Sequence, residues 1–262
     1  MKIGVIGGSG SDELSGLQPA RRRSVDTTYG AVELSEGTVA GVPVAQVSRH
    51  GAGHTRLSHQ VSHHANLAAL ITADVSCVVG LTVCGAVDPD VPLGSVVVFD
   101  DIYFPSNRLP DGRLCTWFTD PGQPDRGHWI FDQPFSAPLR EVLAAAAASV
   151  GTPVVTAGCY GHVDGPRFNS RPEIAALRAV GVTAVSQTAG PETVLAGEAE
   201  LPYALLGFVT DYANGVTAQA EPVEVLLARI ADSAAIFTAV LEKAIPNVAS
   251  LRPAGIVHRF GG

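Results

Sequence analysis

The sequence has 262 residues, enough to bury about 70–75% of its unfolded surface without disulfide or metal support. With 17 Lys and Arg against 25 Asp and Glu it carries a net charge of −8. Its basic block is only Arg21-Arg22-Arg23, which argues against nucleic acid as the main ligand. Charged residues make up 16%, below the ~25% usual for globular domains, so part of the surface is expected to be hidden in an oligomer. No apolar run reaches the ~18 residues of a membrane span. The start, MKIGVIGGSG, reads as a strand and turn rather than a signal peptide. Cys77, Cys84, Cys115 and Cys159 show no CxxC spacing, so free thiols and a cytoplasmic protein are expected.

Strand and helix patterns alternate along the chain. Residues 2–6 form a short strand that ends at Gly7-Gly8-Ser9-Gly10. The segment 12–23 is polar, contains Pro19, and offers no helix after that turn. A strand over 43–48 is followed by a helix over 62–72. The runs 77–84 and 95–100 are continuous β-branched stretches, as in strands covered on both faces. Residues 101–134 lack periodicity and read as a long loop, a common place for function. Then come a helix over 136–150, a strand over 154–159, a helix over 172–180 with Pro172 at its start, and a strand over 182–185. A helix over 192–199 and a strand over 203–209 follow. The last helix, 222–243, is expected to bury Val225, Leu226, Ile230, Ile236, Phe237, Val240 and Leu241. The fold class is therefore α/β, with one domain over residues 1–262 and a mixed sheet flanked by helices.

Several segments carry chemistry-bearing residues at strand ends, where open α/β sheets bind ligands. The glycine turn with Ser9 can set backbone N–H groups and a hydroxyl against a phosphate. Arg49 in Ser48-Arg49-His50-Gly51 suits bidentate phosphate binding. Thr82-Val83-Cys84-Gly85 offers free amides. Phe168 and Asn169, in Asp164-Gly165-Pro166-Arg167-Phe168-Asn169, can stack on and bond a base. Gln187 and Thr188 end another strand. Asp211, in Thr210-Asp211-Tyr212, is placed for acid–base work. His50, His54, His59, His63 and His64 cluster within fifteen residues. Gly51, Gly53 and Ser58 among them argue for loop, and no metal is assigned.

Taken in order, the segments GGSG, RHG, TxCG, GPRF, QTxxPE and TDY resemble the 5′-methylthioadenosine phosphorylase branch of the trimeric purine nucleoside phosphorylase family. The resemblance runs from Lys2 to about Pro246. It implies a barrel-like mixed sheet, a homotrimer (or a hexamer), and phosphorolysis of a purine nucleoside to free base and pentose 1-phosphate. Inorganic phosphate is then the co-substrate and no cofactor is needed. By this resemblance, Ser9, Arg49, His50, Val83 and Thr188 bind phosphate. Phe168, Asn169 and Asp211 hold the base, with Asp211 catalytic at N7, and Gln187 meets the ribose. His128 reaches the 5′ end of the substrate from a neighbouring subunit.

The chain also departs from the family pattern. Ser186-Gln187-Thr188 stands for Asn-Met-Thr, His63 for a tyrosine, and Asp164 for Glu or Gln. Phe104-Pro105-Ser106 replaces Asp-Arg-Thr, and Ala213 replaces a second Asp. These departures point to altered specificity. The expected substrate is 5′-methylthioadenosine or another 5′-modified adenosine. The alternatives are a 6-oxopurine nucleoside phosphorylase, a nucleosidase, and a nucleoside-binding homologue.

Overall fold

The computed structural model describes residues 1–219 and 221–260. Strand β1 (Ile3–Gly7) is followed by a hairpin of β2 (Gln18–Thr27) and β3 (Gly30–Val39), then β4 (Val42–Ser48), helix α1 (His63–Thr72) and β5 (Cys77–Ala86). Next come β6 (Val96–Val98), β7 (Asp101–Tyr103), β8 (Gly127–Ile130) and α2 (Ala137–Ser149). The second half holds β9 (Val154–Val155), β10 (Cys159–His162), α3 (Arg171–Ala179), β11 (Val182–Ser186), α4 (Ala189–Glu198), β12 (Tyr203–Tyr212), α5 (Val223–Ala244) and β13 (Ile256–Arg259).

Eleven strands form one mixed sheet, and β8 pairs with β13 in a separate two-stranded ribbon. The large sheet runs β2-β3-β4-β1-β5-β11-β10-β7 and branches at β5, which also pairs with β12. From β12 the branch continues to β6. Only Phe99 and Asp100 separate β6 from β7, which pairs with β10. The path β5-β12-β6/β7-β10-β11 thus returns to β5 as a barrel-like ring. The apolar runs expected to be covered on both faces are so: Val78, Leu81, Val96, Val97, Val98, Leu205 and Leu206 are buried. Burying one such side chain contributes about 1.5–3 kcal/mol.

Three differences from the sequence reading have local causes. The β2–β3 hairpin was not legible because β2 is exposed along nearly all its length and shows no apolar alternation. Charge pairing across the strands takes that role: Arg23 Nε donates to Glu36 Oε2 at 2.6 Å, and Arg22 lies against Glu13 and Glu33. The expected strand over 154–159 is two strands with different neighbours, β9 on β6 and β10 on β7 and β11. The long loop contains β7 and β8.

The last helix also corrects its expected apolar face. Its C-terminal half buries Phe237, Val240 and Leu241, but Val225 is exposed, as are Val223 and Leu227. Leu226 and Ile230 face a cavity rather than the core.

Candidate active site

A cavity of about 300 Å³ opens where β5 changes neighbours. On one edge β5 pairs with β1 only as far as Ile6–Gly80. On the same edge β11 joins only at Gly85 and Ala86. Residues 81–84 are left without a strand partner there. Backbone groups of a strand alternate in direction. Val78 N–H donates to Pro202 O on the β12 side, so odd-numbered residues point to the open edge. Leu81 O is one of these and accepts from Arg49 Nη1 at 2.7 Å. By the same parity the Val83 N–H faces the gap, and Val83 and Gly85 are its partly exposed positions in an otherwise buried strand.

The turn after β1 and the end of β4 close one side of the gap. Arg49 is fixed by its surroundings rather than free to swing. Its Nε and Nη2 donate to Glu192 Oε1 and Oε2 at 2.5 and 2.8 Å. Both side chains are at most 1% exposed. A Cβ on Gly8 would lie 2.3 Å from Arg49 Nη1, so only glycine lets the turn pass over the guanidinium. Burial alone would push the Glu192 carboxyl up, but the charge and hydrogen bonds of Arg49 prevail and hold it at about 2. The pair is ionised, and three of the five guanidinium N–H groups are used.

His50 lines the same side, with Nδ1 2.9 Å from Arg56 O. Burial, then the charge of Arg49, pushes it down to about 4. The ring is neutral near pH 7, and the carbonyl makes Nδ1 the protonated nitrogen. Ser9 and Thr188 complete this side. Thr188 precedes α4, whose first amides are taken: Ala189 N–H donates to Tyr160 Oη and Gly190 N–H to His162 Nδ1.

On the other side β12 carries a bulge between Val209 and Asp211. The bulge turns Asp211 into the cavity beside Gly85. Thr210 Oγ1 donates to Asp211 Oδ1 at 2.8 Å. Burial raises the Asp211 carboxyl above its ordinary value, and the Thr210 bond only partly offsets this. Phe168, 64% exposed, and Asn169 stand at the rim, where Asn214 Nδ2 donates to Asn169 O at 2.8 Å. Ala213, Ile174, Leu226 and Ile230 supply apolar lining.

Of the residues singled out in the sequence, Ser9, Arg49, His50, Val83, Phe168, Asn169, Gln187, Thr188 and Asp211 line this one cavity. His128 does not; it lies on β8 opposite His258, its ring against Phe260. The histidine cluster disperses: His50 stacks on His54, His64 stacks on Tyr29, and His63 lies buried beside Glu192. Among the described residues no three His, Cys, Asp or Glu side chains gather as a metal cage. The sequence reading gave no role to Glu192, Ser58 or Thr210. Glu192 had a signal, being a carboxylate inside an otherwise small and apolar segment.

A glycine turn over a fixed cation, an unpaired strand edge and a buried acid at a bulge meet in one cavity that can accept an anion beside an apolar ligand group on an α/β barrel-like sheet. The profile of the Phosphorylase superfamily matches residues 2–246, and the chain belongs to that family. It is 30% identical to the 6-oxopurine nucleoside phosphorylase of Pyrococcus furiosus, over 100% of this chain and 98% of that one. It is 34% identical to the S-methyl-5′-thioadenosine phosphorylase of Geobacter sulfurreducens, over 80% and 72%. Among solved structures, methylthioadenosine phosphorylase from Schistosoma mansoni in complex with adenine superposes with a TM-score of 0.85 at 26% identity, covering 95% of this chain and 91% of that one.

Proposed function

We propose that this protein transfers the pentosyl group of a purine nucleoside to inorganic phosphate, with 5′-methylthioadenosine or another 5′-modified adenosine as its preferred substrate. The observation that carries the reading is one cavity lined by both Arg49 with the open β5 edge and the buried acid Asp211.

In this reading phosphate rests on Ser9, Arg49, the Val83 N–H and Thr188. Neutral His50, its Nδ1–H donating to Arg56 O, uses the Nε2 lone pair to accept a hydrogen bond from the P–OH group of monohydrogen phosphate. The C1′–N9 bond breaks with its electron pair leaving to the purine. Positive charge builds on the sugar, where the phosphate stabilises it electrostatically. A phosphate oxygen then forms the new bond to C1′. Holding both reactants in one cavity removes much of the entropic barrier. Asp211, whose carboxyl burial shifts toward the protonated form, bonds N7 and shares its proton with it as the base departs. Phe168 covers the base, Asn169 bonds it, and Gln187 faces the pentose.

A 6-oxopurine nucleoside is the second reading. It is favoured by the full-length similarity to the Pyrococcus protein and by Ala213, which stands where a second acid is expected. The deciding experiment incubates the protein with methylthioadenosine, adenosine, 5′-deoxyadenosine, inosine and methylthioinosine, with and without phosphate, and reads free base. Phosphate-dependent release is expected, fastest from methylthioadenosine. Equal release without phosphate would replace transfer by hydrolysis.

We infer a cytoplasmic homotrimer. The β8–β13 ribbon that carries His128 exposes Ile130, Ile256 and Phe260, an apolar strip suited to a second copy. Sedimentation should give the mass of three chains.

A further inference from the structure

Gln187 is half-buried at the end of β11, and its amide is already bonded to protein on both sides. Ser58 Oγ donates to Gln187 Oε1 at 2.8 Å. Gln187 Nε2 donates to Arg167 O at 3.0 Å. The carbonyl at Arg167 can only accept, which fixes the amide with Nε2 toward it and Oε1 toward the serine. The two bonded segments are otherwise distant, Ser58 lying 129 residues from Gln187 in the chain. Both segments, and Gln187 itself, line the cavity.

The third element of this arrangement is Gly165. A Cβ there would fall 2.1 Å from Gln187 Oε1 and 2.1 Å from Ser58 Oγ. Glycine at 165 is what allows the loop to close over the serine–glutamine pair. The loop beyond it carries Phe168 and Asn169, and Phe168 is largely exposed. Further along, Arg167 bonds Glu173 and Asn214 bonds Asn169 O, and this bond chain ties the near end of the aromatic rim to the cavity floor.

We propose that Gln187 is a positioning residue that latches the Gly165–Asn169 loop to Ser58 and so fixes Phe168 over the base. The latch rests on the nucleoside-cleaving reading above. Gln187 keeps one N–H and one lone pair for the pentose, and its main effect on substrate runs through the loop.

The test compares the wild type with Gln187→Leu, Ser58→Ala, the double variant and Gly165→Ala. In phosphorolysis assays, Gln187→Leu raises the nucleoside KM about tenfold, the scale of one or two lost hydrogen bonds. The phosphate KM stays within twofold. Ser58→Ala acts in the same direction and more weakly, and the double variant matches Gln187→Leu rather than the product of the two effects. Gly165→Ala reproduces the Gln187→Leu phenotype with the amide intact.

Limited trypsin digestion supplies a readout independent of activity. Cleavage after exposed Arg167 should speed up several-fold in each variant. If the wild type released no base, the functional reading would fall while the digestion still tested the latch. Unchanged nucleoside KM with unchanged cleavage at Arg167 would overturn the latch, as would strict additivity of Ser58→Ala and Gln187→Leu. Ser58→Ala removes only one hydroxyl and carries the test should Gln187→Leu not fold.

Discussion

Arg49 and Glu192, 143 residues apart in the chain, meet as a two-bond ion pair at the edge of the candidate active-site cavity, 2.5 and 2.8 Å between their atoms. The pair joins the end of β4 to α4, so the cation's position depends on a helix that itself lines none of the cavity, only the preceding Thr188 doing so. A guanidinium held this way keeps its charge but not its freedom, which is what an anion site needs for repeated, identical binding.

Glu192→Ala should therefore be costly in two ways. Removing one partner of a buried pair destabilises by about 3–5 kcal/mol. Urea denaturation measures this, and a loss below 1 kcal/mol would show that the pair carries little stability. Glu192→Gln keeps the shape and the acceptor, and should lose less stability while raising the phosphate KM.

Asp211→Asn exchanges an acid for an amide of the same shape. General acid catalysis contributes about 10²–10⁴-fold, so kcat/KM for 6-aminopurine nucleosides should fall within that range. The ratio of inosine to adenosine kcat/KM should rise, since the amide can donate to a 6-oxo group. An unchanged ratio would remove Asp211 from base selection.

Phe168 is exposed and buries little, so Phe168→Ala should leave stability within about 0.5 kcal/mol. Its loss uncovers the base, and aromatic stacking on a base is worth about 1–3 kcal/mol. The nucleoside KM should thus rise about five- to a hundredfold with the phosphate KM little changed, read from steady-state kinetics. Equal changes in both constants would contradict a role confined to the base.

Acid should destabilise the fold well before its carboxylates protonate. Burial pushes His50 down to about 4 and His162, with help from His63, to about 3. The unfolded chain binds these protons first, near pH 6.5. The stability they contribute is full above pH 6.5 and is lost as pH falls through the folded values. At pH 5 each should already account for about 2 kcal/mol. Asp211 has the opposite sign, and Glu192 contributes fully until about pH 4.5. Urea midpoints at pH 7 and pH 5 check this. Equal midpoints would mean that the two rings are not buried as the structure places them.

The sheet's central strands were readable because apolar runs such as 77–84 mark strands covered on both faces. The β2–β3 hairpin was not, since its partner signal is charge across a register that only the fold reveals. The cavity residues followed from strand ends and ordered motifs. Glu192, Ser58 and Thr210 act through contacts across 143, 129 and one residue respectively. Two of those three contacts have no local spacing to find. The uneven burial of α5 was likewise hidden, because a helix that faces a core along one half and a cavity along the other shows a single apolar period.

The gap between β1 and β11 divides the molecule's inheritance. In the proposed reading, what grips the anion there is main chain at the open edge of β5, backed by a cation wedged under a glycine, and point substitution leaves a main-chain amide in place. What would meet the nucleoside is side chains on flanking loops and on the free half of α5, each exchangeable without disturbing the sheet. Gln187 and Ala213, two positions where this sequence departs from the family pattern its motifs resemble, stand on that exchangeable border, whereas His63 lies buried beside Glu192. A scaffold partitioned in this way can change its sugar or base while the phosphate handling stays constant.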